Sequence, residues 1–535
     1  MIKNIFSLLT LLLSVKCINA QGADLILING KIFTADKKNL YVGAIAIKGN
    51  KILAAGTNES IEKLAGSKTK RVNLHGKTVI PGINDAHDHL GWGAPVGLKY
   101  EYSQLNPLGP SKAAVLDSLS RMIKQAKANQ WLFGLIGTRV LSDPSMRKSL
   151  DSIAPDNPVL LLIWWGHSAV VNGKALQVAK LSDSNSNPLG GWYERTESNK
   201  IFALQEYAEL PVLNAWLTSE PENLVKGLRS YSQWQLALGI TSVQDMSSMF
   251  FAAATVRFFK EAKLSQRIRI IAWPRTTPDG RVATEWNFEN THLSALTYVS
   301  GIKYLIDGTP LEQNALMTKP YTNRANWYGR FNLPIDTVRK ILNEAIHSKT
   351  QLMMHIVGDS SLSVVLSLMK QMASSETWKT KRVRIEHNAV AAITPAEESV
   401  VKELGILLMH TPKYCMNSPL RSLLKRGILV GISPDGETNP FVDMMIVTSR
   451  QTDPAENITR EQAVIAYTKI NAYAEFAEVE KGTLSTGKLA DLTVLSQDIF
   501  TIPNERLPST RSILTMVNGK VVFQDSASLK AGIRN

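Results

Sequence analysis

Between residues 79 and 432 short apolar runs recur along the chain. Each has the length of a buried strand, and each is followed by a polar loop or by apolar positions spaced three and four apart. Eight such runs stand out, at 79–83, 240–244, 268–273, 302–306, 351–355, 383–387, 406–410 and 428–432. This alternation predicts an α/β fold in which eight parallel strands and their helices close a (β/α)8 TIM-like barrel. The stretch 84–239 breaks the rhythm, and it carries its own strand-like run at 159–165 and a helical pattern at 112–129. We read 93–235 as an α/β insertion domain after strand 1, near the barrel mouth.

A different pattern marks the two ends. Alternating apolar and polar positions occupy 25–33, 44–47, 52–56 and 71–76, and return at 491–495 and 513–523. The pairs Asn29-Gly30, Gly49-Asn50 and Asn518-Gly519 predict hairpin turns. Neither group alone can bury a sheet face, so 21–78 and 480–535 are expected to form one discontinuous β-sandwich around a barrel body at 79–479. The first twenty residues differ again: Lys3 precedes an apolar run at 5–15, and Ala20 offers a small residue for cleavage. This predicts a secretory signal peptide at 1–20 and an exported protein, periplasmic or extracellular. Lys16 stands before Cys17 where a lipid-attachment signal wants a small residue, which argues against an anchor there. No other apolar run approaches the ~18 residues of a membrane span, so no integral membrane segment is expected after cleavage.

Composition adds little beyond a globular class, with 44% hydrophobic and 20% charged residues. The formal charge of +14, less Lys3 and Lys16, gives +12 for the cleaved chain. Its basic residues are dispersed with no run of four, which argues against a nucleic-acid partner and leaves a small-molecule substrate as the expected one. Cleavage would leave Cys415 as the sole cysteine, so no internal disulfide would hold the exported fold. A homo-oligomer is compatible with the sequence.

Candidate chemistry lies at the ends of the apolar runs. Of nine histidines, His87, His89, His355 and His387 fall there, as does His410, together with Lys303 and Asp435. Nitrogen and oxygen donors gathered from the ends of several parallel strands are what a catalytic metal in a β/α barrel needs. In extended chain, residues two apart point to the same side, so His87 and His89 can reach one ion. Taken singly the members read otherwise as well: two solvated loop histidines, an ion-paired lysine on a buried strand, and a turn aspartate at Asp435, where Pro434 fixes its own φ and biases Ser433 towards extended geometry.

With these residues in view the chain resembles the amidohydrolase superfamily, in its amidohydrolase-3 branch of metal-dependent hydrolases of the N-substituted formamide deformylase-like type. The resemblance rests on Pro81-Gly82-Ile83-Asn84-Asp85-Ala86-His87-Asp88-His89, Gly166-His167-Ser168-Ala169-Val170-Val171-Asn172, Gly239-Ile240-Thr241-Ser242-Val243-Gln244-Asp245, Lys303 with Asp307-Gly308, His355-Ile356-Val357-Gly358-Asp359, Arg384-Ile385-Glu386-His387, and the closing Gly482-Thr483-Leu484-Ser485-Thr486-Gly487-Lys488-Leu489-Ala490-Asp491-Leu492. It implies two divalent metal ions, zinc by expectation, and no organic cofactor. His87, His89 and Asp435 would hold one ion and His355 and His387 the other, with a carboxylated Lys303 and a hydroxide bridging them. Asp435 would also move the proton from the attacking water to the leaving group. His167 is expected to contact the substrate or its oxyanion, and Trp92, Glu206, Asp307, Trp327 and Tyr328 to line the pocket. The branch usually places its last aspartate directly after Gly-Ser, whereas here Pro434 intervenes. The implied reaction is hydrolysis of a non-peptide C–N bond in an amide, formamide or cyclic amide. Ester or lactone hydrolysis and deamination share the scaffold, although Val357-Gly358-Asp359 follows His355 where single-metal aminohydrolases commonly carry glutamate. A non-catalytic binding protein with a degenerate site is the alternative from another class, and the filled ligand positions argue against it.

Overall fold

Gly82 is where the chain passes from one layer to the next. A Cβ there would stand 2.1 Å from Thr241 Oγ1, so only glycine lets the backbone lie this close to the neighbouring strand. The computed structural model describes residues 22–93, 96–100, 106–273, 291–387, 393–414, 418–436, 439–450 and 452–525. The expected signal peptide, Cys17 and Cys415 lie outside the described residues.

Before Gly82, Thr78–Pro81 belongs to a six-stranded sheet that also takes Lys31–Phe33 and Tyr41–Val42 from the start of the chain and Leu492–Leu495, Ser512–Val517 and Lys520–Gln524 from its end. A second sheet of four strands, Lys51–Gly56, Ala44–Lys48, Ala23–Ile28 and Ala65–Asn73, joins it around a shared core of Leu27, Ile32, Ile47, Val79, Leu492 and Met516. Two of the expected hairpins form, with Gly49 at φ 57° in one turn and Asn518 and Gly519 at 55° and 74° in the other. Asn29-Gly30 does not make a hairpin: Ala23–Ile28 and Lys31–Phe33 enter different sheets, so this turn carries the chain between layers.

After Gly82 the barrel begins. Its strands are β1 (Ile83–Asp88), β2 (Ile240–Met246), β3 (Arg267–Ala272), β4 (Thr297–Leu305), β5 (Leu352–His355), β6 (Arg384–Glu386), β7 (Leu407–His410) and β8 (Val430–Ile432). Each pairs in parallel with the next from β1 to β8, so the α/β barrel class read from the sequence is what the chain forms. The run 79–83 is not itself the first barrel strand, because its apolar positions are divided between sandwich and barrel at Gly82. Outer helices pack by spacing: Ile335–His347 buries Val338, Ile341, Leu342 and Ala345, one face at helical period. Between β1 and β2 lies a sheet ordered Gly191–Arg195, Ile201–Glu206, Ser168–Val171, Val159–Ile163, Leu132–Ile136, Leu98–Tyr100, with its own core of Val115, Leu119, Leu150 and Leu161.

The barrel interior departs from the branched apolar layers usual for this architecture. Gln244, Arg269, Lys303, Arg384 and Glu386 are all buried. Arg384 donates to both oxygens of Glu386 at 2.8 and 3.0 Å and to Gln244 Oε1 at 2.5 Å, while Arg269 donates to Gln244 and Gln351. This connected polar floor lies directly under the candidate site.

Candidate metal centre

β1 presents His87 within the strand and His89 just beyond it, and the two imidazoles lie with centroids 5.5 Å apart. The Nδ1–H of His87 donates to Glu386 Oε2 at 2.6 Å, and the Nδ1–H of His89 donates to the Met246 carbonyl at 2.8 Å. Fixing the proton on Nδ1 leaves Nε2 of each ring with a lone pair. Both Nε2 atoms face Asp435 Oδ1, at 3.5 Å from His87 and 3.4 Å from His89. His387, immediately after β6, brings its Nδ1 to 3.7 Å from Asp435 Oδ2. Donor atoms of His87, His387 and Asp435 all fall within 4.8 Å of one another.

Two of these residues sit in left-handed backbone, His387 at φ 72° and Asp435 at φ 57°. Such conformations cost about 1–3 kcal/mol and persist where the surroundings over-determine them. For Asp435 this turn answers the proline: the left-handed residue after Pro434 brings the carboxylate among the histidines.

His355 ends β5 with its ring centroid 4.6 Å from that of His387, and both of its ring nitrogens are buried with no hydrogen-bond partner among the described residues. Buried polar atoms are rarely left so. Lys303 lies on β4, fully buried, and its Nζ donates to His87 Nε2 at 2.8 Å while standing 5.1 Å over the Trp273 ring. Burial pulls its amine down to about 8. Burial also holds the imidazoles of His87, His89, His355 and His387 below the usual histidine range, His87 at about 4, which keeps their lone pairs available. Burial opposes ionisation of Asp435, but protons shared with His87, His89 and His387 outweigh it and hold the carboxyl well below its ordinary value, and a cation among them would take the place of those protons. A carboxylate faced by imidazole lone pairs, with an orphaned histidine beside it, fits one or more divalent cations.

The insertion adds His167, in the turn between Val159–Ile163 and Ser168–Val171, 4.7 Å from His355 ring to ring. Its Nδ1–H donates to Glu206 Oε2 at 3.0 Å. Burial disfavours its protonation, but Glu206 and then Glu312 overcome this and raise it to about 9. Glu206, expected in the pocket lining, is almost wholly buried and orients His167. Trp92 packs over Gly166, its ring 3.2 Å from where a Cβ would stand, and so links the turn after β1 to the turn that carries His167. Asp307 is fully buried and accepts from the Ser361 hydroxyl and the backbone N–H groups of Leu316, Val357 and Gly358, which ties down the loop that follows His355. Trp327 donates its indole N–H to the Gln313 carbonyl at 2.5 Å, and Tyr328 is 42% exposed; among the described residues no hydrogen bond or ring contact joins either to the histidines. His410 ends β7 fully buried, held at about 3 by burial and Arg450.

Arg384 and Glu386 enter the sequence reading only inside a resembling motif, with no role of their own, and Trp273 only as the end of a strand run. For the ion pair a signal existed: two opposite charges two residues apart on one face of an apolar strand. Trp273, the residue after β3, stands 6.4 Å from His89 ring to ring, and nothing in its run marks it out.

A sequence model described as "Amidohydrolase family" matches residues 70–523. The chain is similar to "Protein LONG AFTER FAR-RED 3" of Arabidopsis thaliana, 26% identical over 94% of this chain and 92% of that one. It is also similar to the N-substituted formamide deformylase of Arthrobacter pascens, 24% identical over 95% of this chain and 100% of the other. Among solved structures, an uncharacterized metal-dependent hydrolase from Pyrococcus horikoshii OT3 matches 90% of this chain and 99% of its own at 21% identity, with a TM-score of 0.69.

Proposed function

Since the chain belongs to the amidohydrolase family, we propose that it is a metal-dependent hydrolase of a non-peptide C–N bond, in an amide, formamide or cyclic amide of a small molecule. The observation that carries this reading is the convergence of His87, His387 and Asp435 within 4.8 Å, with His89 facing the same carboxylate. Two divalent cations, zinc by preference, would be held by His87, His89 and Asp435 and by His355 and His387, with Lys303 carboxylated between them. Cations bound there supply Lewis acidity, which activates water and polarises a substrate carbonyl.

The chain's own residues handle protons and position. Asp435 is held ionised, is 18% exposed at its side chain, and is the proton acceptor for the attacking water. Returning that proton to the leaving nitrogen expels it as an amine. Protonated His167, with Nδ1 tied to Glu206 and its ring beside His355, keeps its Nε2–H to stabilise the developing oxyanion. Trp273 stands beside His89 and under the Lys303 amine, an apolar face next to the donors. Export to the periplasm or beyond, read from residues 1–20, belongs to the same proposal.

Zinc analysis of purified protein, followed by assay against N-formyl and N-acyl amines, cyclic ureides and lactones, tests it. We expect about two ions per chain and turnover of C–N substrates. Asp435→Asn is expected to keep metal while activity falls by at least ~100-fold. Protein that takes up no metal after supplementation, or that cleaves only lactones, would overturn the reading.

A further inference from the structure

The barrel has a seam. Among the described residues β1 and β8 are the two ends of the strand order and share no ladder, yet His87 and His89 come from one side of this gap and Asp435 from the other. Asn471 spans it. Its side chain is fully buried, and Nδ2 donates to the Asn84 carbonyl on β1 at 2.7 Å and to the Ile432 carbonyl on β8 at 2.8 Å. One amide group thus satisfies an acceptor on each unpaired edge, where a backbone ladder would otherwise run.

The surroundings are built around this amide. Asn471 follows a π-turn, Ala466–Ile470, that interrupts the helix begun at Arg460–Ile465; such single turns commonly reposition a side chain at a functional site. A Cβ on Gly431 would stand 2.3 Å from Asn471 Oδ1, so β8 needs glycine there to admit the amide. Four residues on, Glu475 Oε1 accepts from Asn84 Nδ2 at 2.6 Å and is itself held by Lys481 and Tyr298. Above the amide, Ser433 Oγ lies 2.5 Å from Asp85 Oδ1 and 3.1 Å from the His87 carbonyl, tying the end of β8 to the ligand strand.

We propose that Asn471 is a positioning residue that closes the barrel between β1 and β8 and thereby sets the approach of His87 and His89 to Asp435. It touches no substrate and acts through the two strands. Its consequence for metal rests on the functional reading above; the closure itself does not.

Two measurements on Asn471→Ala test this, with Leu161→Ala in the insertion core as a destabilised control remote from the seam. In metal-free protein, backbone amide exchange at 84–89 and 431–435 is expected to quicken by about tenfold or more. Zinc affinity, read by competition with a chromogenic chelator, is expected to weaken by about 10–100-fold. Leu161→Ala is expected to change neither at these segments. Asn471→Ser, which keeps one hydroxyl donor, carries the same comparison if Asn471→Ala does not fold. Unchanged exchange at the seam overturns the closure, and faster exchange with wild-type zinc affinity overturns the positioning role, as does an equal effect in Leu161→Ala. If the wild-type chain binds no zinc, the functional reading fails while the exchange arm still decides the closure.

Discussion

Replacing Glu386 by glutamine separates what the polar floor does for stability from what it does for the site. Glu386 and Arg384 are both fully buried, and the carboxylate accepts at once from the guanidinium and from His87 Nδ1–H. Burial alone would raise Glu386, but Arg384 and then His87 hold it well below the usual carboxylate range. Removing its charge leaves a buried guanidinium without a counter-ion, which costs about 3–5 kcal/mol. The lower end applies here, because Arg384 keeps its bonds to Gln244 and the Ala86 carbonyl. That is a large share of a stability of about 5–15 kcal/mol, but the chain stays folded.

The effect on His87 is separate. An amide can accept from Nδ1–H, or turn and donate to Nδ1, and the second arrangement moves the ring proton to Nε2 and removes the lone pair facing Asp435. Zinc affinity is expected to fall by about 10–100-fold. Adding Arg384→Met to Glu386→Gln removes the orphaned charge, so the double variant should regain at least ~1 kcal/mol over the single one while its zinc affinity stays low. Denaturant unfolding and chelator competition read the two quantities. A single variant that loses less than ~1 kcal/mol and binds zinc within about threefold of wild type would refute both halves.

Lys303 predicts a pH dependence of assembly: only neutral amine reacts with carbon dioxide, and with the amine near 8 the neutral fraction grows as pH rises through that value. At one fixed concentration of dissolved carbon dioxide, reconstitution with zinc should therefore run about tenfold faster at about pH 9 than at about pH 7, and Lys303→Ala should lose both this dependence and its metal, with partial rescue by a short carboxylic acid. Metal loading unchanged in Lys303→Ala would exclude the bridge. For His167 the folded value of about 9 exceeds the unfolded one of about 6.5, so its pairing with Glu206 stabilises fully below about pH 6.5 and is lost as pH rises through about 9. The stability gap between wild type and Glu206→Gln should narrow across that window, and a gap that stays constant would show that the pair does not titrate there.

What the chain's pattern reveals and what it conceals divide along a physical line. Apolar runs mark barrel strands because burial on both faces demands them, and donors at their ends mark the site because parallel strands deliver their ends to one mouth. Pairing is not written in that pattern: Thr78–Pro81 is as apolar as a barrel strand, and only its register against Ile32 and Val494 assigns it to the sandwich. Partners distant along the chain are hidden for the same reason. His167 meets Glu206 because Ser168 and Gln205 pair across an antiparallel ladder, and the Asn471 side chain donates to backbone carbonyls, which every residue owns. Asp435 shows the limit most sharply, since its neighbours Pro434 and Ser433 were legible but its own left-handed φ was not. Aspartate tolerates that region without requiring it, as glycine tolerates it freely, so the residue type could not announce the turn. The candidate ligands are thus encoded by spacing, but their convergence depends on backbone turns and a seam whose determinants are local geometry, and these are the positions where a change far from any donor atom should be felt in metal affinity.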